Sequence, residues 1–192
     1  MHRRRAREAR HLRDHALGNP TEPPTVARFR ADDDDARYLD IFLSAGADGG
    51  VLAATIGLMD IDVGQAGRPI FTEILMDSRV ARETIGNTLC RVGLFVSKDG
   101  WPPAPGIVFE DMLLAYEPGL AVKHVLFVPP FEWPDGQMGS VDVGDRTIHP
   151  LLAVPITDAE RDFVYEHDGA ALEELWEACS ADVLDWDRVS SV

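Results

Sequence analysis

The side chains in this sequence that could act on a substrate or hold an ion are scattered, and their spacing limits what each can do. Asp60 and Asp62 form an Asp-x-Asp pair, two hard oxygen donors of the kind that coordinates a divalent cation. Together with His149 they are the first suspects for a hydrolase that uses clustered carboxylates and a metal. Such pairs arise readily by chance among 33 acidic residues, so a solvated loop is the plainer reading. His124 and His149 would have to meet across adjacent strands to bind a metal, and hydrogen-bonded histidines are expected instead. His2, His11 and His15 fall in the basic N-terminal segment and His167 stands apart, and none is read as a metal ligand. Asp142 and Asp145, flanking Gly144, suit a turn better than general acid–base work. Cys90 lies mid-helix and Cys179 on an apolar helical stripe, where a thiol behaves as a small hydrophobe. The chain has no GxxxxGK, GxGxxG, GxSxG or HExxH motif, each of which places a specific phosphate, dinucleotide, nucleophile or zinc chemistry. No catalytic residue, metal or cofactor is assigned, and the chain is expected not to be an enzyme.

Other residues suit a binding surface. The formal charge of −15 is uneven: residues 1–30 carry eight arginines against Glu8, Asp14 and Glu22, a net +5, which leaves −20 on the remainder. Such a field repels phosphate backbones and draws cationic proteins, so the expected partner is a basic protein and not nucleic acid. Asp32, Asp33, Asp34 and Asp35 form a like-charge run that stays hydrated as a surface turn or serves as a docking patch for a basic partner. Trp101 and Trp133 sit in proline-rich loops, where an amphipathic ring is pinned to the core edge or anchors an interface. With Asp60, Asp62 and Asp135 these residues make up the candidate partner-binding set.

The elements that must position them follow from periodicity. The 192 residues, 45% of them hydrophobic, suit one domain with a proper core. Residues 1–24 are read as an Arg-rich helix, with Ala9, Leu12 and Ala16 on one stripe, followed by a Pro-rich connector; residues 25–192 form the domain. The polar stretch after the triple arginine at 3–5 lacks the apolar run of a secretion signal, and no segment is long and apolar enough to span a bilayer. With two cysteines too few for a disulfide framework, a cytoplasmic location is expected. Strands are predicted at Val26–Phe29, Tyr38–Leu43, Val51–Ile56, Ile70–Met76, Ile107–Ala115, His124–Val128 and His149–Val154. The recurrence of Ala81, Ile85, Leu89, Val92 and Val96 predicts a central helix over Ser78–Val96. Residues 100–106, with three prolines, predict an irregular loop. Thr157 and Glu160 form a capping box opening a helix, and Leu172, Leu175, Trp176 and Cys179 mark another after Gly169.

The ordered set TIGLMD (55–60), FTEILM (71–76), LFVPPFEWPDG (126–136), LLAVPITDAE (151–160) and LDWDRVSSV (184–192) resembles the suppressor-of-fused family over roughly Thr25–Val192, particularly its compact bacterial members. The resemblance implies an α+β domain with a mixed, largely antiparallel sheet flanked by helices, acting as a protein-binding module. It also implies a partner such as a toxin domain, bound and occluded by an immunity-type protein. An adaptor taking an extended peptide on a strand edge is the alternative of the same class.

Overall fold

A computed structural model of the chain describes residues 23–30, 38–45, 49–64, 69–131, 139–143 and 145–192. The helix expected near the N-terminus, the Asp32–Asp35 tract, Trp133 and Asp135 lie outside the described residues. A seven-stranded sheet runs in the order β1-β2-β3-β4-β9-β6-β5. Its strands are β1 (Thr25–Arg30), β2 (Tyr38–Ala45), β3 (Val51–Ile56), β4 (Ile74–Ser78), β5 (Val108–Phe109), β6 (Val122–Val128) and β9 (Leu151–Thr157). A separate hairpin pairs β7 (Val141–Val143) with β8 (Arg146–Ile148). All pairings are antiparallel except β4 with β9, so the sheet is mixed and largely antiparallel, as expected.

Alternation sorts the strand residues onto two faces. Ile41, Leu43, Ala53, Ile74, Met76, Val125, Phe127 and Ala153 form one core with helix α1 (Arg82–Ser97), through Ile85, Leu89, Val92 and Val96. Phe42, Ala54, Leu75, Leu126, Leu152, Val154 and Ile156 form the other with α2 (Asp158–Glu166) and α3 (Gly169–Cys179), through Val164, Leu172 and Trp176. Four residues of the helical stripe read from the sequence, Ile85, Leu89, Val92 and Val96, are buried, whereas Ala81 is exposed as the N-cap.

Two glycines let α1 approach the edge of the sheet. A Cβ at Gly86 would fall 2.2–2.7 Å from the Phe29 ring, and one at Gly93 would fall 2.5 Å from Leu39 Cδ1. Gly86→Ala gains about 1 kcal/mol of helix propensity but overpacks an aromatic ring, and overpacking costs typically 1–3 kcal/mol. With the ring atoms this close the cost falls toward the upper end, so a net loss of up to about 2 kcal/mol is expected, seen as a lowered Tm in a circular-dichroism melt. An unchanged or raised Tm would show that β1 gives way freely.

The structure corrects several boundaries. Strand β4 begins at Ile74 instead of Ile70, because Thr72 and Glu73 turn inward: the Thr72 hydroxyl donates to the His149 carbonyl at 2.7 Å, leaving Phe71 a lone bridge to Ile148. Helix α1 starts at Arg82 and not at Ser78, whose buried hydroxyl donates to the Leu184 carbonyl and accepts from the Val80 amide. The expected strand over 107–115 shrinks to Val108–Phe109, because Asp111 adopts a left-handed conformation with φ 59° while its N–H donates to His124 Nδ1 at 3.1 Å. The β7–β8 hairpin was read only as a turn, and Asp145 does sit in that turn. The break between α2 and α3 falls at Asp168, with φ 134°. Gly169 instead serves a close approach, since a Cβ there would meet Gly106 Cα at 2.9 Å.

The capping box is as read: Thr157 Oγ1 accepts from the Glu160 amide at 3.2 Å and Glu160 Oε2 accepts from the Thr157 amide at 3.0 Å. Glu160 does more than cap. Fully buried, it accepts from Arg188 Nη1 at 2.6 Å and Nη2 at 2.8 Å, and from Trp176 Nε1 at 3.2 Å. Burial opposes its charge, but the Arg188 fork and the Thr157 amide outweigh it and hold the carboxyl below the ordinary glutamate range. Arg188 also donates to the Pro155 carbonyl at 3.0 Å. One ion pair thus ties the C-terminal segment to β9, α2 and α3.

Candidate functional site

Among the expected site residues, Asp60 and Asp62 flank the end of a short 3-10 turn, Leu58–Asp60, and are tied into the fold. Asp62 Oδ1 accepts from the Gly64 amide at 2.8 Å and the Ile70 amide at 3.0 Å. Arg146 Nη1 lies 3.9 Å from Asp60 Oδ1 and donates to the Met59 carbonyl at 2.9 Å. Beneath this loop sits a carboxylate the sequence reading passed over. Glu73, 3% exposed, accepts from the Gly57 and Met59 amides at 2.8 and 2.9 Å through Oε1, and from the Thr55 hydroxyl at 2.5 Å through Oε2. Thr55 Oγ1 in turn accepts from the Ile74 amide. Gly57, at φ 105°, supplies the left-handed conformation that aims these amides inward.

His149 is exposed and pairs through Nδ1 with Ser140 Oγ at 2.7 Å. His124 is buried and lies opposite Ile156 in the β6–β9 register, whereas His149 precedes β9, so the two histidines sit toward opposite ends of that ladder. The Asp111 amide can only donate, so His124 Nδ1 holds a lone pair and Nε2 carries the proton, donated to Asp158 Oδ1 at 2.9 Å. Lys123 also pairs with Asp158, and these two hydrogen bonds, Lys123 first, lower the Asp158 carboxyl to about 2. Among the described residues, no group of three or more His, Cys, Asp or Glu side chains is arranged to hold a metal ion.

Trp101 is 41% exposed and leans on Phe95 and Phe109 with ring centroids 4.7 and 5.1 Å away. The ring is therefore packed on the core edge while remaining partly exposed. The Asp60–Asp62 loop and Trp101 belong to separate side-chain clusters, the first with Arg146 and the second with Phe95 and Phe109.

Two surface clefts were not anticipated. One, of about 460 Å³, lies beside the Ser140–His149 pair and is walled by Pro103, Pro105, Pro129 and Pro150. The other, of about 540 Å³, runs along α3. Asp168 caps this helix by accepting from the Ala171 amide at 2.9 Å, Leu172 and Trp176 anchor it inward, and Ser180 ends it in a left-handed conformation. Its outer side then presents Glu173, Glu174 and Glu177 around an apolar floor of Phe131, Trp176, Ala181 and Val183. Burial alone pushes the Glu173 carboxyl above the ordinary glutamate range. The readable signal was the run LEELWE (172–177); only its apolar stripe entered the sequence reading.

A helix-flanked, largely antiparallel sheet whose buried Glu73 and Glu160 are bound into the fold defines an α+β domain. Residues 35–189 match the family described as suppressor of fused protein (SUFU), and the chain belongs to that family. It is 25% identical over 172 residues to the immunity protein YqcF of Bacillus subtilis strain 168, covering 88% of this chain and 89% of that protein. The fold is similar to a suppressor-of-fused homologue from Neisseria gonorrhoeae FA 1090, with TM-score 0.68 and 16% identity over 95% of this chain and 93% of that one. The Sufu–Fu complex structure contains a chain similar at TM-score 0.67 and 12% identity, covering 97% and 91% of the two chains. Drosophila Suppressor of Fused matches at TM-score 0.60 and 13% identity, over 96% of this chain and half of its own.

Proposed function

We propose that the chain is a bacterial immunity-type protein that binds and occludes a basic toxin domain or another basic protein partner, without turnover. The observation that carries this reading is the relationship to the Bacillus immunity protein, which runs nearly the full length of both chains. The net −20 outside the first 30 residues supports the basic character of the partner, because a domain that holds a polyanionic substrate must itself be cationic. Asp60, Asp62 and Trp101 contribute to the outer surface on this reading.

The test is calorimetric titration of the purified chain with basic toxin domains, including any encoded nearby, at about 50 and about 300 mM salt. A one-to-one complex weakened about tenfold or more by salt is expected. Absence of binding at low salt overturns the proposal. Strand β1, at the edge of the sheet, favours a second reading in which an extended peptide adds to the sheet through main-chain hydrogen bonds. Binding that is insensitive to salt would support that reading.

A further inference from the structure

We propose that the cleft along α3 is the partner's seat, and that its occupant is a basic amphipathic segment. On this proposal, an apolar side chain of the occupant enters between Phe131 and Val183, and its arginines or lysines meet Glu173, Glu174 and Glu177. This rests on the binding reading above and deepens it by naming the surface and the chemistry of the segment.

The first argument is shape. A cleft of about 540 Å³ is within the range of real ligand sites, and its floor is apolar. Phe131 stands 47% exposed at its border, while Trp176 is buried with its Nε1 already committed to Glu160. An exposed aromatic next to a rigid buried one, rimmed by polar groups, has the anatomy of an interface centre.

The second argument is charge. Elsewhere on this side of the molecule the carboxylates have partners: Asp158 has Lys123 and His124, Asp162 has Arg161, and Glu110 has Tyr165 and Arg161. Glu173, Glu174 and Glu177 make no ion pair or side-chain hydrogen bond among the described residues. Glu173 and Glu177 are like charges one turn apart, an arrangement that destabilises a helix. Glu177 also lies in the last turn of α3, which contains no basic residue, so it opposes the helix dipole. Two local rules of helix stability are broken in one place, and an incoming cation relieves both. Burial of Glu173 without a counter-charge adds to what such a cation would relieve. The proline-walled cleft offers no comparable charge and so does not select this occupant.

The experiment uses the whole chain and a fluorescein-labelled helical peptide of about 16 residues, with arginines on one face and leucine and tryptophan anchors on the other. Anisotropy at low salt should give saturable binding, and amide shifts in a 15N-labelled sample should cluster at Phe131 and residues 173–183. The double variant Glu173→Gln/Glu177→Gln should weaken binding about tenfold or more while its Tm stays equal or rises. Phe131→Ala should weaken it further, and a peptide with serines in place of its anchors should bind far less. The cleft proposal is overturned if the peptide fails to bind, if the serine peptide binds equally, or if the double variant binds as tightly as the unaltered chain. None of these outcomes touches the wider reading, which stands or falls with the intact toxin domain.

Discussion

Arg188→Ala is expected to cost the domain about 3–5 kcal/mol, because it strands the fully buried carboxylate of Glu160 without its counter-charge. Against a total stability of about 5–15 kcal/mol for a domain of this kind, much of the population unfolds, and urea denaturation should show the midpoint collapsing. The double substitution Glu160→Met/Arg188→Leu should recover a good part of the loss, because removing both charges also removes their desolvation. It still forfeits the Glu160 half of the capping box, which contributes on the order of 1 kcal/mol. If Arg188→Ala unfolds at the same urea concentration as the unaltered chain, the pair is not the tether described. Acid gives an independent check. The Glu160 carboxyl is depressed in the fold, so its contribution is complete above the unfolded glutamate value of about 4.3 and disappears as pH falls through the lower folded value. Asp158, lowered to about 2, acts in the same direction, though more weakly because it is half exposed. Stability should therefore fall below about pH 4, and Arg188→Ala should flatten that fall.

The second large effect is expected at Glu73→Ala. The Gly57 and Met59 amides and the Thr55 hydroxyl lose their shared acceptor in a buried site, at about 1–3 kcal/mol for each stranded donor. Part of this is recovered where water enters, so a net loss of several kcal/mol is expected. Glu73→Gln keeps an oxygen for the two amides and should cost much less. Native-state hydrogen exchange separates the local effect from a general one: the Gly57 and Met59 amides should lose protection in Glu73→Ala and keep most of it in Glu73→Gln. Equal exchange in both variants would show that the loop is held by something else.

How much of this could be read from the sequence depends on how far apart the deciding residues lie. Strands β1, β2 and β3 were legible because each is a short apolar run bounded by turn-rich polar stretches. The Thr157–Glu160 cap was legible because both halves fall within four residues. The expected strand over 107–115 failed because its fate is decided at His124, whose ring accepts from the Asp111 amide and holds a turn where β-branched residues suggest extension. Glu73 looked like the polar position of an alternating strand, since nothing nearby shows that residues 55–59 fold over it. The fold class followed from the family resemblance and the pattern together. The α3 cleft did not, because Phe131 and Glu173 become neighbours only after α3 docks on the sheet. Asp32–Asp35, Trp133 and Asp135 fall outside the described residues.

The parallel seam between β4 and β9 rests on two register pairs, Ile74 with Leu151 and Leu75 with Leu152. Neighbouring segments can assemble β1 to β4 with α1 early, but the seam joins positions far apart in the chain, and loop closure of that length slows folding. Until it closes, β4 presents a row of unsatisfied main-chain groups, the template on which misassembly begins. The same short ladder makes this the line along which the mature sheet would part, giving two hydrogen-exchange units of unequal persistence within one domain.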